Sequence, residues 1–170
     1  MKLIPPQSRL KHSLARYVVP STAVLLLALQ TVTCSRTNPA IVAQAPVSPK
    51  VSILLRRACF DCHSNESVWP WYSRVAPVSW LVWSDVTEGR QHLNFSEWPS
   101  EPTKQRKHLK SIRDEIQGGD MPLWFYLPLH SAARLSSAEK QTIIDWTKQT
   151  ESKLQAFDTV SRPNANLTAR

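Results

Sequence analysis

Hydrophobic residues fall at helical spacing in four stretches of the chain. Val51, Leu54, Leu55 and Ala58 share one face of a segment over residues 50–58, with Arg56 and Arg57 on the other. Trp80, Leu81, Trp83, Val86 and Gly89 mark a second helix over residues 78–92. Leu109, Ile112 and Ile116 predict a third over residues 103–117, closed by Gly118-Gly119 because glycine accepts the positive φ of a helix stop. Ser136 and Glu139 form a capping box, each side chain able to bond the other's backbone N–H, and open a terminal helix carrying Ile143, Ile144, Trp146, Thr147 and Leu154. No strand alternation and no internal repeat stand out, so the fold class expected is all-α.

The segments between these helices differ in character. Trp69-Pro70-Trp71-Tyr72 reads as a packed irregular loop, and residues 120–134 form a second loop holding Met121-Pro122 and the apolar cluster of Leu123, Trp124, Phe125, Tyr126, Leu127 and Leu129. Residues 34–50 are rich in Thr, Asn, Pro, Ala and Gln, a composition that suits a tether. The N-terminus begins basic and continues into an apolar run over residues 17–32, the pattern of an export signal. Three fates fit it: cleavage after Ala43-Gln44-Ala45, retention as a membrane anchor, or lipidation at Cys34. Each places the domain outside the cytoplasm, in a periplasm or thylakoid lumen. The organisation expected is a signal or anchor plus linker at residues 1–45, one folded domain at 46–157 and a flexible tail at 158–170.

At 170 residues the chain has room for one compact domain, which excludes a large multidomain enzyme. Its formal charge of +8 invites a nucleic-acid reading, but five of the 21 basic residues (Lys2, Arg9, Lys11, Arg16 and Arg36) precede residue 45, where no acidic residue occurs. The remainder carries 16 Lys and Arg against 13 Asp and Glu, a net +3, and nucleic acid is not an expected partner. The run of Lys104, Arg106, Lys107, Lys110 and Arg113 could steer an acidic redox protein, although helices commonly expose such charges for solubility alone.

The candidate chemistry lies in Cys59-Phe60-Asp61-Cys62-His63. Two thiols at this spacing reach the two vinyl groups of one porphyrin, and the adjacent imidazole then lies beneath the iron as proximal ligand, which is the pattern of covalent haem c attachment. A redox disulfide would want a βαβ context, and a structural zinc site would want a second cysteine pair; neither occurs. Met121, the one methionine besides the initiator, is the candidate sixth iron ligand, and His130 in the same loop is its rival. His92 and His108 read as surface or supporting residues. Trp69, Trp71, Tyr72 and Arg74 supply the rings and donors that could pack on a porphyrin and bond its propionates.

The runs Cys59-Phe-Asp-Cys-His-Ser-Asn-Glu-Ser, Trp69-Pro-Trp-Tyr-Ser, Ala76-Pro-Val-Ser-Trp and His92-Leu-Asn-Phe-Ser-Glu-Trp98 resemble the bacterial haem-binding domain family of c-type cytochrome-like proteins. Gly119-Asp-Met-Pro-Leu-Trp-Phe-Tyr, Leu129-His-Ser-Ala-Ala-Arg-Leu-Ser136 and Ile144-Asp-Trp146 extend the resemblance, which covers nearly all of residues 52–147. It implies Cys59 and Cys62 as attachment sites, His63 as proximal ligand and Met121 as distal ligand. The function expected is one-electron transfer by a mono-haem cytochrome with redox protein partners, a non-enzymatic carrier rather than an enzyme, associated with a membrane where the N-terminal segment is retained. Competing readings are a haem peroxidase, a small-ligand sensor with a displaceable Met121, and a haem module of a membrane redox complex.

Overall fold

The computed structural model describes residues 6–161, and over them the chain is helical. The helices are α1 (Pro6–Leu29), α2 (Pro49–Ala58), α3 (Phe60–His63), α4 (Val78–His92), α5 (Pro102–Gly118) and α6 (Ser137–Ser161), with 3₁₀ turns at Trp71–Arg74 and Ser131–Ala133. Among the described residues no strand forms, and an isolated bridge joins Ala43 to Glu97. This is the all-α class that the spacing of apolar residues predicts.

Local chemistry sets the helix ends. Ser48 caps α2 by accepting the Val51 N–H, and Pro49 supplies a first-turn φ where no N–H is needed. Helix α5 also starts on a proline and stops at Gly119, whose φ of 83° favours a residue without Cβ. At the head of α6 the capping box closes as expected: the Ser136 N–H donates to Glu139 Oε2 at 2.8 Å and the Glu139 N–H to Ser136 Oγ at 3.3 Å.

The chain divides into two units, one formed by residues up to Thr37 with Trp69–Asp85, the other by Asn38–Val68 with residues from Val86 onward. In the first unit the residues after α1 bond to the Trp- and Pro-rich loop and to the beginning of α4. The Gln30 side chain both donates to the Ala76 carbonyl and accepts the Ala76 N–H; Arg36 donates to the Ser73 carbonyl and Trp80 Nε1 to the Val32 carbonyl. No helix among the described residues is long and apolar enough to cross a membrane. Residues 1–5 of the N-terminal basic stretch lie outside the described residues.

The second unit packs α5 on α6 and α2 on α6. Leu55, Leu109 and Ile143 are fully buried where they meet, each contributing about 1.5–3 kcal/mol by leaving water. Phe60, Phe95 and Trp98 continue this core as a stack of nearly parallel rings, with centroids 5.2 and 6.1 Å apart. Arg113 pairs with Glu151 at 2.9 Å and Arg106 with Asp158 at 2.6 Å, so α6 is fastened along its length.

Two stretches differ from the sequence expectation. Residues 38–47, whose composition suggests a tether, are bonded into the second unit. The Val42 and Ala43 N–H groups donate to the Ser96 carbonyl, Ala45 donates to Phe95, Trp98 donates back to Ala43, and Trp146 Nε1 reaches the Pro46 carbonyl at 3.3 Å. The segment's larger side chains Ile41 and Val42 stay exposed, so it docks mainly through backbone hydrogen bonds, with Ala45 buried in the core and Val47 packed against it. The expected flexible tail from 158 begins on helix, because α6 continues to Ser161; residues 162–170 lie outside the described residues.

Two measurements follow. A chain starting at Pro46 should be less stable than one starting at Asn38 by about 2 kcal/mol, the net worth of a few backbone hydrogen bonds, read as a shift in urea midpoint. The Ser136 backbone N–H, with Arg57 and the Ser136 hydroxyl, holds the Glu139 carboxyl down at about 2, against 4.5 ordinarily. A carboxylate whose native value is depressed stabilises fully above its ordinary value and loses that contribution as pH falls. Urea midpoints should therefore drop more steeply between pH 4.5 and 2 in the native protein than in Glu139→Gln.

Candidate functional site

The Cys-x-x-Cys-His segment is a tight turn built onto the end of α2. The Cys59 N–H closes α2 on the Leu55 carbonyl; the Cys59 carbonyl then accepts from Cys62 and His63, so one residue ends a helix and starts the next turn. Phe60 anchors that turn by stacking on Phe95, and the Arg56 guanidinium lies over the Phe60 ring, 4.8 Å from its centroid. Cys34, Cys59 and Cys62 are in no disulfide. Burial, reinforced by Cys62, pushes the Cys59 thiol up to about 12. A dithiol oxidoreductase needs the opposite, a thiol lowered toward thiolate. Among the described residues no group of three or more His, Cys, Asp or Glu side chains is placed to hold a metal ion.

His63 is held by backbone. Its Nδ1 lies 2.9 Å from the Gly89 carbonyl and 3.1 Å from the Leu93 carbonyl. Carbonyls only accept, so Nδ1 carries the proton and Nε2 keeps the lone pair of a neutral imidazole. Burial lowers the His63 pKa, which favours that neutral form; the Leu93 and Gly89 carbonyls and the charge of Glu115 act in the other direction, while His92 sides with burial. Among the described residues Nε2 has no hydrogen-bond partner. The second half of α4 therefore fixes the ring's tautomer and direction.

Gly89 makes this possible. A Cβ at this position would lie 2.6 Å from the Cys62 carbonyl oxygen, so only glycine lets α4 come near enough for its carbonyl to reach His63. Around the contact, Arg90 Nε donates to the Ser64 carbonyl at 2.8 Å, the Phe95 N–H to the His63 carbonyl at 2.8 Å, and the Asn65 N–H to Ser96 Oγ at 3.0 Å.

The loop after α5 meets the same turn. The N–H groups of Gly119, Asp120 and Met121 converge on the Glu115 carbonyl, which fixes the start of the loop at the end of α5. That helix end is within electrostatic reach of His63, since the Glu115 charge is felt there. Five residues past Met121, the Tyr126 hydroxyl donates to Asp61 Oδ2 at 2.6 Å. Met121 is half-buried. His130 lies flat on the Tyr126 ring, centroids 3.8 Å apart, and donates from Nδ1 to the Tyr126 carbonyl, the local bonding role of a loop histidine.

The remaining candidates separate. His92 is exposed, and His108 leans on the Trp98 ring at 5.7 Å. Trp69, Trp71, Tyr72 and Arg74 belong to the first unit, where Trp71 stands edge-on to Tyr72 and is largely exposed. Four residues of the site were not candidates in the sequence, although each lies in a segment that was: Asp61, Gly89, Leu93 and Tyr126. Gly89 alone left a signal, a glycine inside an otherwise helical pattern, which marks a close approach when it has a packing reason.

The residues present fit a covalent haem: two closely spaced thiols at a helix end, followed by a neutral, oriented imidazole with its outer nitrogen bare. A helical domain with this donor set is a haem-binding protein in class. The chain matches the haem-binding domain family over residues 24–149 and belongs to that family. The match takes in the docked residues 38–47 as well as the Cys-x-x-Cys-His turn. No curated protein and no solved structure matches the chain.

Gly89→Ala should push α4 away from Cys62. The expected cost is about 1–3 kcal/mol of stability, as for overpacking elsewhere, together with a smaller fraction of purified protein carrying haem. Thermal unfolding and the haem-to-protein absorbance ratio measure both effects.

Proposed function

We propose that this protein is an exported mono-haem c-type cytochrome that transfers single electrons between protein partners. The observation that carries the reading is the fixed tautomer of His63, whose Nδ1 is committed to two backbone carbonyls and whose Nε2 is left as a ligand. Cys59 and Cys62 would hold the haem through thioethers, His63 would be the proximal ligand and Met121 the distal one. A bound haem supplies an iron that alternates between ferric and ferrous.

The chain's part is to keep the surroundings constant through that change. Hydrogen bonds to Gly89 and Leu93 make the imidazole more basic at Nε2 and stop the ring turning. A thioether from Met121 is a neutral, soft donor, and its pairing with histidine raises the reduction potential relative to two histidines. His130, stacked and bonded within its own loop, supports methionine as the sixth ligand. The basic N-terminus and the apolar run over residues 17–32 support export, to a periplasm or thylakoid lumen, where covalent haem attachment takes place.

Absorption spectra of the protein made with a c-type haem maturation system test this directly. Covalent haem with a methionine–ferric iron charge-transfer band is expected, and Met121→Ala should abolish the band and lower the reduction potential. Haem that is high-spin, or a band indifferent to Met121→Ala, would move the reading to a peroxidase or a ligand sensor.

A further inference from the structure

Asp61 lies between the two cysteines, and its carboxylate is engaged on both oxygens. Oδ1 accepts the Val68 N–H at 3.1 Å, which closes the chain locally after the Cys-x-x-Cys-His turn. Oδ2 accepts the Tyr126 hydroxyl at 2.6 Å across 65 residues of sequence. The Asp61 carbonyl accepts Ser67 Oγ, also at 2.6 Å, so the residue is itself held in place. A hydroxyl donating to a carboxylate over this distance is among the stronger protein hydrogen bonds.

The bond matters because of where Tyr126 sits. Residues 121–126 are pinned at one end to the Glu115 carbonyl, through Gly119, Asp120 and Met121, and at the other to Asp61, through Tyr126. A turn bond from the Tyr126 N–H to the Leu123 carbonyl and the stacked His130 ring hold the tyrosine in that orientation. Met121 thus rides on a short loop whose far end is tied to the turn that carries Cys59, Cys62 and His63.

We propose that Asp61 is a positioning residue, clamping the Met121 loop to the haem-attachment turn through Tyr126 so that both axial ligands are held by one assembly; the assignment rests on Met121 being the distal ligand. The clamp joins proximal and distal sides through protein alone, and it keeps the thioether near its site whether or not it is bound. Loss of the clamp would leave covalent attachment intact and free the sixth ligand to leave.

The test uses the full-length, haem-loaded protein and two variants. Tyr126→Phe removes the hydroxyl and keeps the ring that stacks on His130; Asp61→Asn keeps the oxygen that accepts from Val68. Amide hydrogen exchange over residues 121–130 should accelerate by about tenfold in Tyr126→Phe, the scale of a lost charge-assisted hydrogen bond, and by less in Asp61→Asn, whose amide can still donate to the hydroxyl, while residues 137–150 stay unchanged. The methionine–ferric iron band should weaken in proportion, and the double variant should go no further than Tyr126→Phe alone. Unaltered exchange over residues 121–130 in both variants, with the band present, would overturn the clamp and leave the ligand assignment standing. Faster exchange in a protein whose parent shows no methionine band would instead overturn the ligand assignment.

Discussion

The structure of the second unit turns on the pair of hydrogen bonds from His63 Nδ1 to the carbonyls of Gly89 and Leu93. Helical carbonyls are normally occupied by the N–H four residues on, and those at a helix's last turn are left over. Leu93 lies just past the end of α4, and Gly89 is the residue whose carbonyl also accepts the Leu93 N–H. The Gly89 carbonyl is thus shared between the Leu93 N–H and the imidazole, while the Leu93 carbonyl, past the last helical turn, takes the imidazole N–H as well. In return the ring is fixed in the one tautomer that leaves Nε2 able to bind a metal.

That contact constrains the elements around it. For α4 to approach the Cys-x-x-Cys-His turn, position 89 must lack a side chain, and for the turn to stay put, Phe60 must be packed and Ser64 bonded. Both hold: Phe60 stacks on Phe95, while the fully buried Ser64 donates from Oγ to the Phe60 carbonyl. The segment after α4 then serves twice. Phe95 donates to the His63 carbonyl, and its own carbonyl, with that of Ser96, receives residues 42–45. A stretch far upstream of the cysteines is thereby built into the support of the histidine.

What the sequence discloses follows from the range of the forces involved. Helices α2, α4, α5 and α6 were legible because apolar periodicity, caps and glycine stops are local, and Ser136 with Glu139 or Gly119 after α5 act within a turn. Cys59, Cys62 and His63 were legible as a motif for the same reason. The carbonyls of Gly89 and Leu93 carry no side-chain signature, so nothing in their identity points to His63, and the bond from Tyr126 to Asp61 joins residues whose types are common in loops. The docking of residues 38–47 escaped composition because it rests largely on backbone hydrogen bonds, which are written in every residue alike, with only Ala45 and Val47 adding to the core.

The charge pattern shows the same limit. Five cations along α5 look like a steering surface when counted in sequence. In the fold, Arg113 and Arg106 face Glu151 and Asp158 of α6, Lys110 pairs with Asp114 on its own helix, and Lys104 pairs with Glu101. Arg113 and Glu151 are the least exposed of these pairs, so their attraction is the least screened by water and salt. A cation beside its own anion contributes a dipole to the distant field rather than a charge, and dipolar fields fall off faster with distance. Four of the five basic residues therefore act mainly within the domain, joining α5 to α6 and extending α5's own turns, and the field of this helix is much weaker than its composition suggests.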